Sequence, residues 1–241
     1  MGADQPVLAK GAGLTVLIAI IGVLFGLPIG LLAALARLSQ HRLLRRVFDA
    51  YALVFRGTPM LVQIFILYYG LGEFSAVRHI PSLWWLIGDA LHCSILAVVL
   101  NTIAYTSEIF RSAFMALPRG MTEAAQACGM SSWTTLIRIR FPLALRQALP
   151  AYGNEVAIIV KESSLASTIT VLEITGYAKR MMSETFAVME VFVMASVFYL
   201  AINFAALGIV RVVERRLRGQ KSFLDVRWRW KRVPWNAPSG A

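Results

Sequence analysis

Five stretches of the chain carry long runs of hydrophobic residues with few charged positions, at about 13–36, 47–72, 90–110, 148–172 and 190–213. Each is long enough to cross the roughly 30 Å hydrocarbon core of a bilayer as an α-helix. Because the backbone must satisfy its own hydrogen bonds inside lipid, helices are the expected form. The pattern predicts an all-α integral membrane protein with five transmembrane helices.

Basic residues concentrate in alternate segments between these stretches. The segments 37–46, 111–147 and 211–241 hold 18 Lys and Arg, whereas the segments 1–12, 73–89 and 173–189 hold 4. Cytoplasmic loops of membrane proteins carry the excess of Lys and Arg. We therefore expect the N-terminus outside and the C-terminus inside the cell.

The composition agrees with a membrane protein, since 58% of the residues are hydrophobic and 15% are charged. A net charge of +11 is also typical of nucleic-acid binders, but here the basic residues lie between apolar stretches. Cys93, Cys128 and the three histidines show no metal-ligand spacing, so no metal site is expected. We divide the chain into a transmembrane domain, 1–220, and a basic tail, 221–241, that suits either the membrane surface or solvent.

The segment between the third and fourth stretches is long for a connector and has its own helix signals. Thr122 is placed to cap a short helix, and Gly129 is placed to end that helix in a left-handed conformation. A second short helix is expected after Ser131 or Ser132, and Pro142 would break or restart it. Two short helices at an angle are predicted.

Residues 118–142 resemble the coupling loop of ATP-binding-cassette importers. The family pattern is Glu-Ala-Ala, three residues, Gly, nine residues, and then Ile-x-Leu-Pro. The matching residues are Glu123, Ala124, Ala125, Gly129, Ile139, Phe141 and Pro142. The only departure is Phe141, which stands where the pattern has Leu. The resemblance implies that this loop docks into an ATPase subunit and transmits its closure to the spans.

The resemblance extends over about residues 13–216 and is closest to permeases of polar amino acids. It is carried by residues 55–59, 62–63, 100–111, 149–155 and 161–165. The nearest group transports histidine, lysine, arginine and ornithine, together with opine-transporting relatives. The resemblance implies a type I importer permease fold in the bacterial inner membrane. It also implies a polar amino acid, with a cationic one favoured, or an opine as substrate.

The same resemblance implies a larger assembly. A second permease subunit (a related chain or a copy of this one), a pair of ATPase subunits and a periplasmic substrate-binding protein are expected. This chain has no Gly-x-x-x-x-Gly-Lys-Ser/Thr loop. We therefore expect no enzymatic activity and no cofactor on it, with ATP and Mg on the partner ATPase.

Polar residues within the predicted spans are candidate substrate ligands because such groups are costly in a membrane. The candidates are Asn101, Tyr105, Glu108, Glu155, Lys161, Glu162, Ser163 and Ser164. Alternatives remain open. Asn101 and Tyr105 could join helices, Glu108 could pair with Arg111, and Lys161 with Glu162.

The second stretch contains Arg56, Gly57, Thr58 and Pro59, which predict a kink or a gate. A rival hypothesis for the whole chain is a self-sufficient ion-coupled secondary transporter or channel. Lys161 and Glu162 within a span fit that hypothesis, but it leaves the long loop unexplained, and no inverted repeat is visible.

Overall fold

The protein is described here from a computed structural model that covers residues 5–219, and every element in that range is helical. The elements in chain order are α1 (Gln5–Arg37), α2 (Arg42–Gly57), α3 (Met60–Phe65), a π-helical turn (Ile66–Gly70), α4 (Leu71–Glu73), α5 (Ser75–Arg78), α6 (Pro81–Ile87), α7 (Ala90–Met115), α8 (Arg119–Ala127), α9 (Ser132–Thr135), a second π-helical turn (Leu136–Arg140), α10 (Phe141–Glu162), a 3-10 helix (Ser163–Ile169), α11 (Ile174–Thr185) and α12 (Val188–Gly219). The predicted tail, 221–241, lies outside the described residues.

Helices α1 and α7 pack against each other along most of their length because glycine lets them approach closely. A Cβ atom added at Gly26 would lie 2.3 Å from Thr102 Cγ2, and one at Gly30 would lie 2.6 Å from Thr106 Cβ. Small residues four positions apart favour such helix contacts in membranes. This pair forms the centre of the fold, and α10 packs against α7 beside it.

The hydrophobic core lies where α1, α7 and α10 meet. At one end of this contact Ile18, Ala97 and Ile159 are buried together, and at the other Ala34 and Phe110 are buried with residues of α10. Helix α12 packs on α10 from outside. Only 6% of the most apolar stretch of α12 is buried, so this helix presents an apolar surface to its surroundings.

Within residues 5–219, three helical segments are long and apolar enough to cross a membrane, namely Leu8–Arg37, Ala90–Met115 and Val188–Leu217. They coincide with the first, third and fifth predicted stretches. The predicted second span is divided instead: Arg42–Gly57 and Met60–Glu73 are bent by 106° to each other, and together they could form one broken span. The reason is Pro59, which cannot continue a helix and holds the residue before it in an extended conformation.

The predicted fourth span, 148–172, is also not one α-helix. Helix α10 ends at Glu162, the chain tightens into the 3-10 helix, and Thr170 takes a left-handed conformation with φ 73°. Charged and hydroxyl residues occupy this change of helix type. The interruption that Lys161 and Glu162 predicted in the sequence is therefore present.

Candidate functional site

The segment between α7 and α10 forms an elbow, defined here as residues 118–142, in which α8 contacts α9. Gly129 has φ +79° and ends α8, as predicted. Ser131 rather than Ser132 caps α9, since its Oγ accepts a hydrogen bond from the amide of Thr134 at 3.2 Å. The chain reverses at Gly129 because glycine adopts this backbone conformation without a Cβ clash.

Two details of the predicted elbow are wrong. Helix α8 begins at Arg119 behind Pro118, not after a capping Thr122, because the fixed φ of proline suits a helix entrance. Pro142 does not break the chain either. The π-helical turn Leu136–Arg140 runs directly into α10, and the amide of Phe141 donates to Leu136 O, so the proline lies in the first turn of α10, where a missing donor is tolerated.

The family-pattern residues of the elbow divide into an exposed and a packed group. Glu123, Ala124 and Gly129 are exposed, whereas Ala125 is buried with 4% exposure. The remaining members are partly buried, namely Ile139, Phe141 and Pro142. Trp133 of α9 is 70% exposed. The elbow therefore has an exposed end and an end that packs against the rest of the chain. The exposed end forms a compact projection that a groove on another protein can accept.

The kink between α2 and α3 is held by buried amides. Gln63 Nε2 donates to Phe55 O at 2.8 Å and to Thr58 O at 3.0 Å. Asn101 Nδ2 in turn donates to Gln63 Oε1 at 3.1 Å. Gly57 and Pro59 complete the kink and are exposed. Gln63 is among the residues that carry the family resemblance, but sequence reasoning gave it no role. In the structure this buried amide, four residues after a proline, supplies the donors that the broken helix needs.

Glu108 is the centre of an ion network, defined here as Arg37, Asp49, Arg56, Glu108 and Arg111. Its carboxylate lies 2.8 Å from Arg37, 3.0 Å from Arg56 and 2.6 Å from Arg111. Arg37 also reaches Asp49 at 2.8 Å. The network joins α1, α2 and α7, and the Arg56 guanidinium lies 5.6 Å from the ring centre of Tyr105.

A cavity of about 460 Å³ lies beside the broken end of α10, between α10, α11 and α12. Polar groups on its wall are Lys161, Ser164, Thr175, Ser196, Tyr199 and Asn203. Among the described residues, Lys161 has no hydrogen bond or ion pair, and Asn203 Oδ1 is buried without a donor. The Lys161 ammonium can receive a ligand that carries a carboxylate.

The predicted substrate residues are therefore not in one place. Lys161 and Ser164 line the cavity. Ser163 is buried, and its hydroxyl donates to Val160 O at 2.8 Å. Glu155 is buried with 4% exposure, and Glu162 is half-buried on the same helix. The α7 residues Asn101, Tyr105 and Glu108 instead contact the kink and the ion network.

Glu173 is a buried acid that sequence reasoning missed. Its carboxylate caps α11 by accepting the amides of Thr175 at 2.9 Å and Gly176 at 2.8 Å. It also accepts hydroxyl hydrogen bonds from Tyr199 of α12 at 2.5 Å and Thr15 of α1 at 3.4 Å. These contacts form one wall of the cavity, because Thr175 and Tyr199 line it. Glutamate is an uncommon N-cap, so the sequence carried no clear signal for this role.

No group of three or more His, Cys, Asp or Glu side chains within residues 5–219 could hold a metal ion. Cys93 and Cys128 are both free, the first buried and the second exposed.

Comparison with known protein families gives a match over residues 26–219 to the family described as binding-protein-dependent transport system inner membrane component. The chain is 44% identical to a nopaline transport system permease protein of Agrobacterium fabrum, over 87% of each chain. It is also 44% identical to an octopine transport system permease protein of Rhizobium radiobacter, over 86% of this chain and 84% of the relative.

An arginine ABC transporter permease protein of Escherichia coli is 40% identical over 69% of this chain and 74% of its own length. Among solved structures, an amino acid ABC transporter crystallised with histidines superimposes with a TM-score of 0.79 at 28% identity, covering 90% of this chain and 96% of that one. A methionine ABC transporter in inward-facing conformations superimposes with a TM-score of 0.64 at 20% identity, covering 88% and 99%, and shows the shared fold.

Proposed function

The chain belongs to the family of binding-protein-dependent transport system inner membrane components, and from this premise we propose that it passes a polar, cationic amino acid or an opine through the bacterial inner membrane. The observation that carries the proposal is the elbow. Its exposed residues Glu123, Ala124 and Gly129 lie on α8 and directly after it, and α8 packs against the short helix α9. Such a projection suits the cleft of an ATPase subunit.

A single helix, α10, connects the elbow to the cavity. The second π-helical turn runs into α10 without a break, and α10 spans 22 residues from Phe141 to Glu162. At 1.5 Å per residue the helix is about 33 Å long. Lys161 lies at its far end, beside the cavity. Movement of α8 by a closing ATPase would therefore displace the residues that hold substrate.

The cavity supports an amino acid or opine as cargo. A carboxylate of the substrate would bind the Lys161 ammonium, since charge-assisted hydrogen bonds are the strong ones. The hydroxyl groups of Ser164 and Tyr199, which line the same cavity, would offer oxygen acceptors to the substrate's ammonium. The names of the relatives favour arginine, nopaline or octopine as chemical models of the substrate. The other predicted ligands, Asn101, Tyr105 and Glu108, would act on the pathway through the kink and ion network.

The assembly follows from the family. We propose five spans with the N-terminus outside and the C-terminus inside, of which the broken segment α2–α4 and helix α10 with its 3-10 extension are the second and fourth. A second permease chain would cover the exposed apolar face of α12. Two ATPase subunits carrying ATP and Mg would dock on the elbows, and a periplasmic binding protein would deliver substrate. The tail, 221–241, would rest on the inner membrane surface.

Gly129→Asp tests the docking step. A Cβ at Gly129 meets nothing within 4 Å, but φ +79° is a strained conformation for aspartate, and the added charge lies on the docking surface. We expect loss of ATPase subunits from affinity-purified permease and loss of ATP-driven uptake in proteoliposomes. Gly120→Asp is the matched control, because Gly120 also has open space around it but no positive φ.

The rival hypothesis of an ion-coupled transporter or channel predicts the opposite result. Proteoliposomes with this chain alone would then accumulate substrate on an ion gradient, without ATP, and the Gly129→Asp variant would transport normally. Either outcome would disprove the importer.

A further inference from the structure

We propose that the first half of α2 is a binding surface for the headgroups of anionic phospholipids. The surface consists of Arg42, Arg45 and Arg46 together with an apolar strip formed by Leu43 and Val47. The family and the proposed transport cycle do not require such a site, so the inference stands on the surface chemistry of α2.

The side chains of this surface are exposed and unpaired. Arg42, Arg45 and Arg46 are all exposed, and within residues 5–219 none of their side chains has a hydrogen bond or ion pair. Leu43 is 78% exposed and Val47 is 56% exposed. Unpaired guanidinium groups directly beside exposed aliphatic side chains match a surface that meets both phosphate and hydrocarbon.

The helix geometry separates charge from hydrocarbon. Arg42 and Arg46 are four residues apart and so share a face, and Leu43 and Val47 form the adjacent face by the same spacing. Val54, 57% exposed, continues the apolar strip two turns further. With this arrangement the start of α2, where the proposed second span begins, places its arginines at the level of the headgroups and its apolar strip toward the acyl chains.

The opposite side of α2 is fixed to the rest of the protein. Ala52 is buried, and the Tyr51 hydroxyl donates to Leu100 O of α7. Asp49 of the same helix pairs with Arg37 of α1 at 2.8 Å. The helix therefore cannot turn its arginines inward, and they remain available to a ligand from outside the chain.

The position of the arginines in the helix also favours an external anion. The first turn of α2 contains no acidic residue, and His41 makes no side-chain capping bond. Positive charge near a helix N-terminus opposes the partial positive charge already there. A phosphate group at Arg42 and Arg45 would relieve both. A lipid is the preferred source because a soluble anion would leave Leu43 and Val47 in water.

The test uses the whole importer, with its partner subunits, in nanodiscs that contain phosphatidylglycerol and phosphatidylcholine. Native mass spectrometry would measure the enrichment of phosphatidylglycerol among the lipids retained by the complex. One arginine near an anionic leaflet contributes about fivefold in partitioning. We therefore expect the triple variant R42Q/R45Q/R46Q to reduce the enrichment at least about tenfold, whereas R42K/R45K/R46K stays within about twofold of the wild type.

Arg180→Gln is the matched control, since Arg180 is exposed on α11 and pairs only with Glu184 at 3.1 Å. This control should leave the enrichment unchanged. The L43S/V47S variant should weaken retention of both lipids alike. If the glutamine variant fails to assemble, raising salt from about 0.05 M to about 0.5 M on wild-type protein should lower the enrichment through screening.

Equal enrichment in the wild type and the glutamine variant, or enrichment that salt does not change, would overturn the proposal. So would a glutamine variant that loses its ATPase subunits while keeping its lipid preference, because α2 would then be a protein-docking surface. None of these readouts depends on transport, so failure of the importer hypothesis and failure of this inference are separable.

Discussion

The ion network and the cavity place charge in the same set of helices in opposite ways. In the network, Glu108 contacts three arginines, and the Arg37 side chain is only 7% exposed. In the cavity, Lys161 is exposed to a space of about 460 Å³ and contacts no charged partner among the described residues. The charged side chains of the network are paired with one another, whereas Lys161 of the cavity forms no ion pair among the described residues.

The difference separates two reasons for charge within a membrane protein. A buried charge must be paired, because desolvation without a partner costs several kcal/mol. An unpaired charge is tolerated where it faces a polar or open space. The network therefore holds α1, α2 and α7 together, whereas the cavity keeps the kind of unpaired charge that a ligand needs.

Arg37→Ala should have the largest effect. It would leave Glu108 and Asp49 with fewer partners and would remove the bond to Ser107 at 3.1 Å. Breaking a buried ion pair in this way costs about 3 kcal/mol of unfolding free energy. Denaturation of the purified permease would measure it, with Arg180→Ala as the exposed control, expected to cost about 0.5 kcal/mol. A variant of normal stability that has lost uptake would place Arg37 on the substrate pathway instead.

Gln63→Leu should come second, at about 2 kcal/mol, because it strands the carbonyls of Phe55 and Thr58. The Asn101→Leu variant should cost less, and the double variant should cost less than the sum of the two. Residues that share one hydrogen-bond network are not additive. Strict additivity in the double-mutant cycle would contradict the coupling of α7 to the kink.

Lys161→Met should reduce uptake about tenfold, the value of one charge-assisted hydrogen bond, and leave stability unchanged. The matched control is Lys179→Met, since Lys179 is exposed on α11 and donates to Ser167 Oγ at 2.9 Å. Uptake at several substrate concentrations in proteoliposomes would show a weaker apparent affinity. Equal loss of uptake in both variants would argue that overall charge, not the cavity, is responsible.

Ser196→Ala should have the smallest effect. Its hydroxyl already donates to Phe192 O at 2.7 Å, so it can offer the substrate only an acceptor. We expect uptake to fall about twofold. A loss as large as that of Lys161→Met would mean that Ser196 holds the substrate directly and that the cavity is oriented differently from our proposal.

Local sequence signals predicted local structure well. Gly129 marked the left-handed end of α8, the pair Ser131 and Ser132 contained the cap of α9, and Pro59 marked the kink. Each is a property of one residue and its immediate neighbours. The same reasoning was wrong at Pro142, because a π-helical turn ahead of the proline absorbed the effect of its missing donor.

Contacts between distant residues could not be predicted in this way. Glu108 and Arg37 are 71 positions apart, and Glu173 and Thr15 are 158 apart. From the sequence, Glu108 was equally compatible with a substrate ligand and with a partner for Arg111. Only the close approach of α1 to α7 shows that it has three partners.

The sequence by itself determined the class of the protein and the places of three long apolar helices, because these depend on hydrophobic runs and on short motifs. The tertiary structure alone decided which intramembrane charges are paired and which line a cavity. The physical reason is that the cost of a charge in lipid depends on its neighbours in space, and packing of the helices chooses those neighbours.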